Sequence, residues 1–360
     1  MPEIQPPTSV AAQPSTPVSF HAEPNYLVLK DAWPTAKPFA LNGWFERHSF
    51  APWLAVLLVV ISAFLLLNLI GAVVLAMAAI PAAMESGGQI SPEELLAKIL
   101  EDAGVLLGAN ALALVFGMGL VALLAARLSS RDWKGFLRIR RPDLPGLGLA
   151  AVGWLVLLPV LLWTSQLNAE LPLPQWLSDL EQAQIDMLEG ALLGSNVSAL
   201  FLLITVALAP AICEELMFRG YIQRQVERNA GVVWSIVGVG LLFGLFHLRL
   251  SQALPLSLLG MYMGYVTWSS GSILTASVVH LLHNGMQVLV AVRVREEGQA
   301  AIDAVEDATV AWSLALLSLL LLVGVCMLMK RRRESVVGGA QDAVHVVSDP
   351  IISPSTLAPT

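Results

Sequence analysis

The sequence predicts an all-α fold, a polytopic transmembrane helical bundle of about eight spans. Three observations predict it. Of 360 residues, 56% are hydrophobic and only 13% charged, whereas soluble domains carry nearer a quarter. Apolar runs of about 20 residues, long enough to cross a bilayer, recur along the chain. The remaining charges are sorted by sign between the connections.

Residues 1–50 open on "MPEIQPPTSVAAQPSTPVSF", rich in Pro, Ser and Thr, and are expected to form a disordered tail. Lys30 is the first basic residue and no apolar run starts before Trp53, so this stretch does not read as a signal peptide. A unit at 51–145 follows, with apolar runs at 53–81 and 104–126 and the basic loop "RLSSRDWKGFLRIRR" at 127–141. The unit at 146–330 carries runs at 147–167, 198–218, 231–248, 252–268, 272–292 and 309–329. Residues 331–360 read as a second disordered tail.

The connections 82–103, 168–197 and 295–308 are acidic, while 127–141 and 330–333 are basic. Eight spans with both termini inside put every basic cluster on the cytoplasmic side, as the positive-inside rule requires. The expected location is therefore a membrane, a bacterial inner membrane by this reading, with the lipid bilayer as partner. Nucleic acid is not an expected partner, because the basic clusters are ordinary stop-transfer charges. Cys213 and Cys326 lie in apolar runs with no CxxC pair, and read as small buried residues.

Ionisable side chains at membrane depth are costly and mark function. Here they are Glu214, Glu215, Arg219, His247, His280 and His283, with the uncharged Asn284 beside them. Glu215 and Arg219 are four apart and can pair on one helical face. Glu214 points about 100° away and has no local partner of opposite sign. His280 and Asn284 share a face, whereas His283 lies only partly on it. A buried glutamate beside histidines is a composition able to activate water.

In order along the chain, "EELMFR" (214–219), "FGLFH" (243–247) and "HLLHN" (280–284) fit EExxxR, FxxxH and HxxxN. Together they resemble the CAAX prenyl protease and bacteriocin-processing (CPBP) family of intramembrane endopeptidases, which includes the type II CAAX prenyl endopeptidases. The resemblance covers 198–292. It implies hydrolysis of a peptide bond in a membrane-embedded or membrane-associated protein. It also implies roles: Glu214 as essential carboxylate, His247 activating water with it, and His280 and Asn284 binding that water or the oxyanion. Glu215, Arg219 and Phe243 occupy supporting motif positions. The family has been described both as zinc-dependent and as metal-free. No HExxH occurs, so a Zn2+ ion would need Glu214, His247 and His280 from three helices; metal-free activation is the favoured expectation.

A turn near Ala230–Gly231 would set Glu214 and His247 at equal depth, roughly 24 Å from it at 1.5 Å per residue. Against this, the basic stretch 219–228 suggests that the fourth span leaves the membrane near Arg219. The site is expected in the cytoplasmic half, with His283 turned partly away from it. Two other classes stand beside the peptidase: a non-catalytic scaffold or immunity protein on the same fold, and a proton-coupled transporter. Rhomboid-like serine chemistry is discounted, since "WSSGS" (268–272) lacks a GxSG motif.

Overall fold

The structure is a computed structural model that describes residues 27–29, 33, 36–87, 89–193, 197–298 and 309–348, without the side chains of 339–348. Six helical stretches are long and apolar enough to cross a membrane: Pro52–Glu85, Ala103–Ser129, Leu144–Ala169, Ala199–Phe246, Ile273–Glu297 and Trp312–Gly338. The fourth is two arms, because Gly231 breaks it with φ 83° and ψ 174°. The left-handed φ is one that glycine adopts without a Cβ penalty. Helix Ala253–Ser270 is shorter and interleaves Ser, Thr and Tyr with its apolar residues. Counting both arms and this helix, each of the eight apolar runs corresponds to a helical segment of a polytopic bundle.

The outer segments differ from expectation. Residues 36–50 pack onto the bundle, with Phe39 and Leu41 buried in its core. Phe39–Ala40 also pairs with Val28–Leu29 as a two-residue antiparallel bridge. At the other end the last helix continues past position 330 to Ser348. The remainder of both expected tails, 1–26 and 349–360, lies outside the described residues, as do 299–308 of the third acidic connection. The other two acidic connections hold short helices. Pro92–Leu100 is started by a Ser91–Glu94 capping box, and Gln175–Leu193 is amphipathic.

The inner hairpins are set by small residues. Gly240, Gly244 and Gly260 let the arm 232–246 press onto Ala253–Ser270, as small residues do between membrane helices. A Cβ at Gly240 would stand 2.7 Å from the Met261 amide nitrogen, and one at Gly244 2.8 Å from that of Ser257. Ala253–Ser270 then reverses into Ile273–Glu297 through Gly271 (φ 67°) and the N-cap Ser272. The Ser272 hydroxyl donates to the Arg140 carbonyl at 2.6 Å.

The basic stretch 219–228 does not end the fourth helix. The helix runs on to the Gly231 turn, and Arg219, Gln223, Arg224 and Gln225 are all buried. Most of their polar atoms are met by protein, while Arg219 Nε and Gln223 Oε1 have no hydrogen-bond partner among the described residues. Gln223 donates to the Gly264 carbonyl at 3.0 Å, Arg224 to the Phe136 carbonyl at 2.9 Å, and Gln225 to the Tyr221 hydroxyl at 3.1 Å. Such groups are tolerated at depth once hydrogen-bonded.

Candidate active site

Glu214 and Glu215 end the α-helical turn Ala209–Glu215, and the chain then widens into π-helical turns over Leu216–Ile222. π-Helical turns occur often at functional sites. Glu215 is fully buried and its Oε1 accepts twice: from Arg219 Nη1 at 2.9 Å and from His280 Nδ1 at 2.9 Å. The second guanidinium branch, Nη2, donates to the Gly260 carbonyl at 3.1 Å. The expected Glu215–Arg219 pair is therefore present, with a histidine from another helix added to it.

Glu214 is buried and lies on the other side of His280. Its Oε2 stands 3.9 Å from His280 Nε2 and has no hydrogen-bond partner among the described residues. This is too long for a hydrogen bond. The His280 tautomer follows from its neighbour. A carboxylate only accepts, so Nδ1 carries the proton and the Nε2 lone pair faces Glu214 when the ring is neutral.

The same logic applies to His247, an exposed residue capping the C-terminal end of the arm 232–246. Its Nδ1 lies 2.8 Å from the Phe243 carbonyl, so Nδ1 bears the hydrogen and Nε2 is left free. Phe243 is the hinge of the arrangement. Its ring centroid is 4.9 Å from that of His247 and 5.9 Å from that of His280, both edge-on, and 4.4 Å from the Arg219 guanidinium. The two imidazoles thus flank one phenyl ring. Among the described residues, no hydrogen bond or ion pair joins Glu214 directly to His247.

Asn284 is anchored to the backbone of the fourth helix. Its Nδ2 donates to the Val206 carbonyl at 3.1 Å, in the π-helical stretch Leu203–Leu208. It ties Ile273–Glu297 to the fourth helix and retains one amide hydrogen and its oxygen. His283 faces away from the carboxylates, as expected. The Trp154 indole donates to its Nδ1 at 3.4 Å and Gln287 lies 2.9 Å from its Nε2. It lines a separate cavity of about 280 Å3 walled by Leu158, Leu161, Leu259 and Met286. Cys213 and Cys326 are free thiols. The Gly260 carbonyl, which completes the Arg219 contacts, had no sequence signal, since a backbone acceptor carries no residue type.

Among the described residues, no group of three His, Cys, Asp or Glu side chains is placed to hold a metal ion. With Nδ1 of His247 and of His280 each held by an oxygen, Nε2 is the nitrogen that either ring would offer to a metal ion or a water.

Residues 196–286 match the family model of the type II CAAX prenyl endopeptidase Rce1-like proteins. The matched segment contains Glu214, Glu215, Arg219, Phe243, His247, His280 and Asn284. Among curated proteins and among solved structures, none matches the chain significantly. With its apolar helices, the match marks an integral membrane protein with a CAAX-protease-like segment.

Proposed function

We propose that this chain is an intramembrane endopeptidase that hydrolyses a peptide bond of a membrane-associated protein, with Glu214 as the general base. The observation that carries the reading is the buried Glu214 Oε2 without a hydrogen-bond partner among the described residues, 3.9 Å from a His280 nitrogen whose tautomer Glu215 sets. An unpaired carboxylate oxygen at membrane depth is costly, and a water admitted between it and His280 would satisfy it. Glu214 takes a proton from that water as the oxygen attacks the peptide carbonyl. The proton then passes to the leaving nitrogen as the C–N bond breaks. Positioned proton transfer of this kind contributes about 10²–10⁴-fold.

His247 and His280 both present Nε2, able to accept a proton when neutral and to donate to an oxyanion when protonated. His247 works from the open side of Phe243, where substrate arrives. Arg219 and Glu215 hold His280 and carry no proton themselves. Asn284 supports the oxyanion with its spare amide hydrogen. The sign of the connections puts 127–141, 330–333 and both termini on the cytoplasmic side of a bacterial inner membrane.

The test is a cleavage assay in lipid nanodiscs with a prenylated C-terminal peptide of the CAAX type, run in ¹⁸O-water. The reading expects the peptide to be cut and one ¹⁸O to appear in the new carboxyl terminus. Proton movement across a vesicle membrane without cleavage of any membrane peptide would replace this reading with the transporter.

A further inference from the structure

The segment that follows His247 is gripped by two polar side chains that no motif includes. After the arm ends at His247, Leu248 turns with φ 54°, a left-handed conformation unfavourable for an L-residue. A short 3-10 turn, Leu250–Gln252, leads into Ala253–Ser270. Asn168, near the end of Leu144–Ala169, donates Nδ2–H to the Leu250 carbonyl at 2.8 Å. Its Oδ1 accepts from the Leu254 amide at 2.8 Å. Glu181, within Gln175–Leu193, accepts from the Leu250 amide at 2.6 Å and the Ser251 amide at 3.2 Å.

Asn168 and Glu181 are only 3% and 2% exposed. Both come from 168–197, which otherwise reads as an acidic connection. Four hydrogen bonds converge on residues 250–254, next to a left-handed leucine that persists only where its surroundings over-determine it. Among the described residues, His247 makes one hydrogen bond, to its own helix at Phe243. Where its ring stands relative to Phe243 therefore depends on where this turn fixes the helix end.

We propose that Asn168 and Glu181 are positioning residues for His247, clamping the 248–254 turn so that the imidazole stays against Phe243 beside Glu214 and His280. The clamp rests on the role given to His247 above. It predicts a cost in turnover rather than binding, since a misplacement of about 1 Å is worth up to 10²-fold.

The test uses the full chain in nanodiscs as Glu181→Gln, Asn168→Asp and the double Asn168→Ala/Glu181→Ala variant. Cleavage of the prenylated peptide gives kcat and KM, and the Cε1–H resonances of His247 and His280 are read at one fixed pH. The expected result is a fall in kcat of about 10-fold or more in the double variant, with KM within about twofold. The His247 line should shift or broaden while the His280 line holds. An unmoved His247 line, or equal movement of both lines, would overturn the clamp. Should the double variant fail to fold, Glu181→Gln, which removes one of two acceptor oxygens, answers the same question. The resonances report whether or not the peptide is cut, so failure of the clamp is separable from failure of the peptidase reading. His247→Ala protein that cleaves normally would sink the role of His247 alone.

Discussion

Helices Pro52–Glu85 and Trp312–Gly338 bury 11% and 17% of their most apolar windows, while Ala199–Phe246 buries 50%. The first two are apolar nearly all round and face lipid. The third carries Glu214, Glu215 and Arg219, packed against Gly260, Phe243 and His280. A membrane chain can spend outer helices on length and hydropathy alone. Its inner hairpin needs small residues for close approach and backbone carbonyls to satisfy each charge. Polarity at depth is thus confined to where protein, not lipid, surrounds it.

The sharpest way to break that contrast is Glu215→Gln. The change removes the shared acceptor of Arg219 and His280, leaving a guanidinium buried without its carboxylate. A loss of about 3–5 kcal/mol is expected, read as a large fall in melting temperature in detergent. Arg219 settling without that loss would mean that the inner region tolerates charge as lipid-facing surface does.

Next comes one substitution made in both regions. Gly240→Ala puts a Cβ 2.7 Å from the Met261 amide nitrogen and should cost about 1–3 kcal/mol by overpacking. Gly71→Ala meets nothing within 4 Å and should be neutral, or stabilise by about 0.5–1 kcal/mol through helix propensity. Equal melting temperatures for the two variants would erase the distinction.

A smaller effect is expected where the last helix is tied to the third. Asp143 caps Leu144–Ala169 through the Gly146 amide and accepts from Arg332 Nε at 2.9 Å. The Arg332 hydrogen bond outweighs its partial burial and holds its carboxyl below the usual range. The stabilisation is therefore present above the ordinary carboxylate pKa and is lost as pH falls through the lowered folded-state value. Asp143→Asn keeps the cap and should cost about 1 kcal/mol or less at neutral pH. The gap from the parent should close in acid; a gap independent of pH would assign the effect to something other than this pair.

Much of the bundle was legible in the sequence because span length and hydropathy are local quantities. The turn at Gly231 was legible too, since a break midway between two apolar runs has few other places to fall. The burial of 219–228 was not. Arg219, Gln223 and Arg224 donate to the carbonyls of Gly260, Gly264 and Phe136, which no residue type announces. Equal spacing from the turn pointed to Glu214 and His247 as neighbours, and such counting treats helices as ideal rods. The π-helical turns at Leu216–Ile222 lie within that count, and the described contacts bring His280 next to Glu214. The motifs named the residues; their pairing needed the fold. Asn168 and Glu181 lay in 168–197, whose composition said only acidic connection.

The central claim is that the Glu214 charge serves chemistry while the Glu215 charge serves architecture. It is tested most directly by measuring cleavage rate and melting temperature on one preparation of Glu214→Gln protein. The account predicts a loss of cleavage of at least about 10²-fold with a melting temperature close to that of the parent. Normal cleavage by Glu214→Gln, or a collapse in stability matching that of Glu215→Gln, would contradict it.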